Sequence, residues 1–413
     1  MTLPGSPCPP DFDLVLFGAT GFTGRLVAGY LARRAPSLRW ALAGRSPARL
    51  AALRDDLGRI DPNVRDLPLL RVDLADPAAV DAVVGRTRVV CTAAGPYSAL
   101  GTALVAACAA RGVHYCDVAG ETPFVRASID AHHTRAAATG ARIVHCCGFD
   151  SVPSDLGVLL LHRYLAARHD RLRVAHTRVV RLRAQASAGT AATLLDLYAR
   201  SVDPADCDLL ADPYALDPRD APARPPQRDQ LGPRLDPDTG RWTAPFVMAP
   251  INTRVVRRSN ALAGFAYGRD FLYDEALETG PGPAGFMGAV TVSAALASLY
   301  AAAVVPPARA LLSQLLPWLG EGPDPAARGR GFFRLEIRAQ SVAGRRLRAV
   351  IEADGDPGYD ETAKMLAESA LCLAHDPLAC PGGVLTPAFA LGTALVARLR
   401  ATGMGLRVEV PGP

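Results

Sequence analysis

Three glycines spaced three residues apart, Gly18, Gly21 and Gly24, follow an apolar run that ends at Phe17. The segment Gly18-Ala19-Thr20-Gly21-Phe22-Thr23-Gly24 suits the pyrophosphate of a dinucleotide. The first glycine allows a tight turn, the second lets backbone approach phosphate, and the third lets helix and strand pack closely. The helix that follows offers free N–H groups and a positive dipole end to the anion. About twenty residues further on, where an NAD site usually carries an acid for the ribose, stands Gly44-Arg45-Ser46. The Arg45 guanidinium suits a 2′-phosphate, with Ser46 as a further donor, so NADP(H) is the expected cofactor; the alternative is that Arg45 caps a surface turn. Asp73 ends a third strand and is expected near the adenine or as a helix cap. Ala94, Gly95 and Pro96 put small residues at the end of a fourth strand, where a cofactor passes close to backbone. Tyr97 follows as a candidate proton donor, or as a packing residue. Asp117 and Glu121 flank the next strand end and are candidates to bind substrate or hold a water; capping the following helix is the alternative.

These groups need a frame that brings strand ends together. Apolar runs at about 13–18, 38–43, 67–72, 88–92, 113–116 and 141–146 read as strands. Helical stretches at 22–34, 48–57, 100–111 and 123–139 separate them, and another opens after the polar run Asp150, Ser151, Ser154 and Asp155. That alternation predicts an α/β fold, a Rossmann-type doubly wound parallel sheet. The pattern changes near 172. A half-exposed strand is expected from 173 to 186, a helix at 189–200, and a long surface loop over 203–241. Residues 260–274 carry aromatics and glycines and are expected to approach a substrate. A hairpin signal joins 332–340 to 345–353 near Gly344, followed by an amphipathic helix at 359–374 and a last helix at 387–400. The expected domains are a leader (1–11), an NADP-binding domain (12–170), an α+β substrate or oligomerisation domain (171–380), and a C-terminal helix and tail (381–413) packing on the first domain. Residues 284–305 hold no charge over twenty-two positions. That length spans a bilayer, but alanine, glycine and serine make insertion only marginally favourable. The readings are a buried helix at a domain or homodimer interface, a lipid or membrane contact, or a span.

Length and composition set the outer bounds. A chain of 413 residues has room for two cores. Hydrophobic residues at 49% and charged residues at 21% describe a globular protein. A net charge of +5 allows an anionic ligand or an acidic membrane surface and does not argue for nucleic acid. Lys364 is the only lysine. Nine scattered cysteines without a C-x-x-C pair fit a reducing, cytoplasmic setting. The proline-rich N-terminus lacks the apolar core of a secretory signal. His114 and His145 fall on strands and read as core residues. His132 and His133 have no partner at metal-ligand spacing, so no metal site is expected. No nucleophile with a neighbouring base is legible.

The motifs Gly18 to Gly24, Ala43-Gly44-Arg45-Ser46, Ala94-Gly95-Pro96-Tyr97, Tyr115-Cys116-Asp117-Val118-Ala119-Gly120-Glu121 and Gly148-Phe149-Asp150-Ser151-Val152-Pro153-Ser154-Asp155 occur in this order. Ala188-Gly189-Thr190-Ala191, Arg258-Ser259-Asn260-Ala261-Leu262, Gly268-Arg269-Asp270-Phe271 and Gly382-Gly383-Val384-Leu385-Thr386-Pro387-Ala388 follow. Together they resemble the saccharopine dehydrogenase-like oxidoreductases, and within them the trans-acting enoyl reductases of lipid and polyketide synthesis. The resemblance covers nearly the whole chain. It implies a Rossmann domain, a second α+β domain, and a C-terminal helix returning to the first. It also implies NADPH reducing a carbon–carbon double bond in an acyl chain carried by a polyketide or fatty-acid synthase. That reaction needs hydride at the β-carbon, a donor to the thioester oxygen and a proton at the α-carbon. The saccharopine dehydrogenases proper are associated with a lysine and a histidine near the substrate. Here Lys364 lies far along the chain without a matching histidine, which speaks against amino-acid dehydrogenation. Tyr359 and Lys364 have four residues between them, so the Tyr-x-x-x-Lys pair of short-chain dehydrogenases is absent too. Two other classes stay open: a non-catalytic, lipid- or membrane-associated NADP-binding protein, and an NADP-dependent dehydrogenase of a small soluble metabolite. A long apolar channel favours the acyl chain; a narrow polar pocket favours the metabolite.

Overall fold

The computed structural model describes residues 10–185, 188–320 and 322–410; the leader expected over 1–11 lies outside them except for Pro10 and Asp11. The first strand, β1 (Phe12–Phe17), is an apolar run buried on both sides. Such a run suits the middle of a parallel sheet covered by helices on both faces. It leads through the glycine turn into α1 (Phe22–Arg34). Then follow β2 (Trp40–Gly44), α2 (Pro47–Ile60), β3 (Leu69–Arg71), α3 (Pro77–Val84) and β4 (Thr87–Thr92). The short α4 (Tyr97–Leu100), α5 (Thr102–Arg111), β5 (His114–Cys116), α6 (Thr122–Thr139) and β6 (Arg142–Val144) complete the expected set. Local chemistry sets the helix starts. Ser46 accepts from Arg49 N–H to cap α2, and Asp76 accepts from Ala78 and Ala79 N–H to cap α3, each with proline at the first position.

The chain then crosses to a second sheet. The crossing elements are α7 (Val152–Ala166), β7 (Leu172–Arg183), α8 (Ala188–Arg200), α9 (Pro204–Ala211), β8 (Arg234–Leu235) and β9 (Arg241–Pro245). Next come α10 (Ala249–Leu262), β10 (Leu272–Pro281), α11 (Gly282–Val304), α12 (Pro306–Gly320) and α13 (Pro325–Arg328). The hairpin β11 (Phe332–Ser341) and β12 (Arg346–Asp354) turns at Gly344, whose φ of 82° is left-handed. The chain ends through α14 (Thr362–His375), β13 (Gly383–Leu385), α15 (Pro387–Ala390), α16 (Gly392–Ala401) and β14 (Gly405–Glu409).

Each sheet has seven strands. The first runs β13-β6-β5-β4-β1-β2-β3, parallel throughout. The second runs β14-β12-β11-β7-β10-β9-β8, antiparallel except between β7 and β10. Four findings differ from the sequence reading. The segment 203–241 holds α9 and β8 rather than one structureless loop. The helix expected to be amphipathic at 359–374 is α14, buried from Ala363 to Ala374 except at Lys364. It packs on β4, β5, α1 and α16, so it belongs to the first sheet's helical layer. The C-terminal segment adds β13 to the first sheet, but its last strand, β14, pairs with β12 in the second. Residues 260–274 pack in a separate apolar cluster around Tyr267, Phe271 and Tyr273 and do not line the main cavity.

Candidate active site

The glycine turn is built for close approach. Gly18 has φ 72°, and a Cβ there would sit 2.6 Å from Ala94 N. A Cβ on Gly24 would lie 2.1 Å from the Gly18 carbonyl oxygen, so only glycine lets α1 begin where it does. The start of α1 has no side-chain cap and no acid in its first turn. Its free N–H groups need an outside acceptor, and a pyrophosphate supplies one, so these residues fit a dinucleotide. At the end of β2, Arg45 is exposed and makes no ion pair among the described residues. Ser46 uses its hydroxyl oxygen to cap α2. Asp73 accepts from Ala75 N–H just beyond β3.

The expected acids lie behind this edge, already in use. Asp117 is fully buried. It accepts from Tyr115 OH (2.9 Å), Ala119 N–H (3.0 Å) and Cys146 N–H (3.1 Å), and it meets His145 Nδ1 at 2.7 Å. The other ring nitrogen of His145 lies 2.8 Å from Ser128 Oγ. Serine, histidine and aspartate thus stand in a line, but all three are buried and none lines the cavity. The line is a sealed polar core, as expected for His145. Asp117 does not reach the place where a substrate would lie. It holds Cys146, whose φ of 63° is left-handed and strained for that residue. Glu121 accepts from Tyr97 N–H (2.9 Å) and Ser98 N–H (2.8 Å), fixing the start of α4. Tyr97 lines the cavity with its ring, while its hydroxyl donates to the Thr92 carbonyl (3.3 Å) and accepts from Val118 N–H (3.4 Å). Burial, reinforced by the Asp117 charge, holds its phenol well above the ordinary range.

A cavity of about 1310 Å³ runs from Thr23, Gly95 and Tyr97 to Ser293, Leu296 and Tyr300 on α11. Leu194, Leu197, Leu210, Phe246 and Met248 give it an apolar wall. It exceeds the ~300–1,000 Å³ of ordinary ligand pockets. Asp150, just past the end of β6, also lines it. Its carboxylate has no hydrogen bond or ion pair among the described residues, and burial pushes its pKa up to about 6. The sequence marked Asp150 only as part of a polar run. Its place after the sixth strand was legible, and its lack of a partner was not. The absence of charge over 284–305 raises a lipid contact as one reading of α11; that the helix walls this cavity was not legible.

Residues 14–144 match the family described as the saccharopine dehydrogenase NADP binding domain. A Mycobacterium tuberculosis protein is 45% identical over 97% of this chain and 98% of its own. The trans-acting enoyl reductase of Mycobacterium ulcerans is 43% identical, covering 95% and 97%. The trans-acting enoyl reductase of Mycobacterium leprae is 42% identical, covering 97% and 98%. In fold, the chain is similar to apo saccharopine dehydrogenase (L-Glu forming) from Saccharomyces cerevisiae, with a TM-score of 0.54 at 13% identity over 97% of this chain and 99% of that one. With an uncapped glycine turn for NADP(H) and full-length identity at this level, the chain belongs to the trans-acting enoyl reductase family of saccharopine dehydrogenase-like oxidoreductases.

Proposed function

We propose that the protein is an NADPH-dependent enoyl reductase that acts in trans on an acyl or polyketide chain carried by a synthase. The observation that carries this reading is the large, mostly apolar cavity that joins Thr23 of the glycine turn to α11. A small polar metabolite would leave most of that wall without a partner, whereas an acyl chain fills it. When bound, NADPH supplies the hydride. Gly18 to Gly24 receive the pyrophosphate, Arg45 and Ser46 face the 2′-phosphate, Asp73 borders the adenine, and Ala94 to Pro96 leave room for the nicotinamide. The Tyr97 ring walls the reacting end, Glu121 fixes the helix start that carries that ring, and Asp117 fixes the backbone after β6. In this reading Tyr97, Asp117 and Glu121 position the reacting groups. The test is NADPH oxidation with enoyl thioesters of increasing length. Rates that rise with chain length are expected; turnover limited to small polar substrates would overturn the reading.

We also propose that the outer face of α11 meets lipid. This helix is long and apolar enough to cross a membrane, and Met287 is exposed on it. Its other face lines the cavity through Ser293, Leu296, Ala297 and Tyr300, spaced as one helical stripe. Lipid on one side and acyl chain on the other account for the missing charge better than a span does. Flotation with lipid vesicles, reduced by Met287→Asp, is the expected result for a protein that otherwise stays in the cytoplasm. The free thiols of the described cysteines fit that compartment.

A further inference from the structure

The proton donors that line the cavity differ in what they have left to give. Tyr97 has its hydroxyl bound to Thr92 and Val118. Glu121 spends both carboxylate oxygens on N–H groups. Asp229 is paired with Arg254 and accepts from Thr253 Oγ1 (3.2 Å). Ser201 Oγ lies 3.3 Å from Tyr300 OH, at the α11 end. Asp150 has neither hydrogen bond nor ion pair among the described residues.

Its position is constrained from several sides. Cys146 holds a strained left-handed backbone two residues past β6, with its N–H bound to Asp117. Thr362 Oγ1 accepts from Phe149 N–H at 3.1 Å, and a Cβ on Gly148 would sit 3.1 Å from both Thr362 Cγ2 and Val118 Cγ1. The backbone that leads into Asp150 is therefore held at Gly148 and Phe149 by Val118 and Thr362, both of which line the cavity with Thr23 and Gly95. An unpaired carboxylate away from bulk water is costly, and no structural bond here offsets that cost. Asp150 is half-buried and opens to the cavity.

We infer that Asp150 is the catalytic acid that protonates the α-carbon of the enoyl substrate, a role that rests on the enoyl reductase reading. The balance is simple. The carbon–carbon π bond takes up a hydride at the β-carbon and leaves an enolate across the α-carbon and thioester oxygen. The Asp150 O–H bond breaks, its proton forms the new α-carbon C–H bond, and the carboxylate recovers a proton from solvent. Burial raises its pKa to about 6, so a minor share of the acid form persists toward neutral pH, and that is the form this step needs.

The experiment uses the full chain with NADPH and an enoyl thioester in D₂O, comparing wild type with Asp150→Asn and Asp150→Ala. Expected results are NADPH affinity within about twofold of wild type and a kcat fall of about 10²–10⁴-fold, the range for a lost general acid. Deuterium at the α-carbon should go to one face in wild type and to both faces in the variants, and added formate should restore part of the Asp150→Ala rate. Retained kcat and facial selectivity in both variants would overturn the assignment of Asp150 alone, as would loss of NADPH binding together with activity. A wild type that binds NADPH but reduces no enoyl thioester would instead sink the reductase reading.

Discussion

At the scale of single residues, position along a strand end was legible and use was not. Asp117 and Glu121 stand where a doubly wound sheet collects its ligands, and both are acids. Several of their partners come from the neighbouring strand ends, Tyr97 and Ser98 before them and His145 and Cys146 after, so only the fold reveals that every oxygen is taken. Tyr97 follows the same logic. Removing its hydroxyl leaves Val118 N–H and the Thr92 carbonyl without that partner. Tyr97→Phe should therefore cost about 1–3 kcal/mol of stability, read as a lower Tm, with kcat reduced less than tenfold. Arg45 is the opposite case: exposed and without an ion pair among the described residues, it has charge to spare for a phosphate. Arg45→Ala should lower NADPH affinity about tenfold, near 1.4 kcal/mol, and leave NADH affinity unchanged in a fluorescence titration.

At the scale of elements, the strands and helices of the first sheet were legible because apolar runs and glycines mark them. The three-residue β13 and the terminal β14 were not, since such short strands exist only through their neighbours. The burial of α14 was not legible for a related reason: α1 and α16, distant in sequence, pack against it beside the sheet. The helix α10 carries the same lesson in its arginines. Arg254, Arg257 and Arg258 are buried there and reach carbonyl groups of other segments. Arg258 donates to the Val384 carbonyl at 2.6 Å and also to the Leu216 carbonyl, binding α10 to β13. Burial pulls its pKa down to about 10, which leaves it charged at neutral pH. Loss of these hydrogen bonds leaves the Leu216 carbonyl without that donor and the Val384 carbonyl with only His133 nearby. Arg258→Met should lower stability by about 1–3 kcal/mol in denaturant melts.

At the scale of the whole molecule, buried acids shape the response to pH. Glu275 accepts from Tyr273 OH (2.6 Å) and Asn252 Nδ2 (2.9 Å), yet burial raises it to about 7 from an ordinary 4.5. Between those values the folded state keeps a proton that the unfolded chain has released. Stability is therefore fully present below the lower value and is lost as pH rises through the higher one. Glu275→Gln should flatten that fall, by an amount on the order of 1–3 kcal/mol, in thermal melts taken from pH 4 to 8. Asp155, raised to about 7 by burial, adds in the same direction. The last segment of the chain gives one strand to each sheet, with β13 closing an edge of the first and β14 an edge of the second. During synthesis the ribosome must therefore pass residue 385 before the first sheet has its full set of strands, and residue 409 before the second has its own. A chain stalled before residue 383 would leave β6 as an exposed sheet edge, open to aggregation or to proteases.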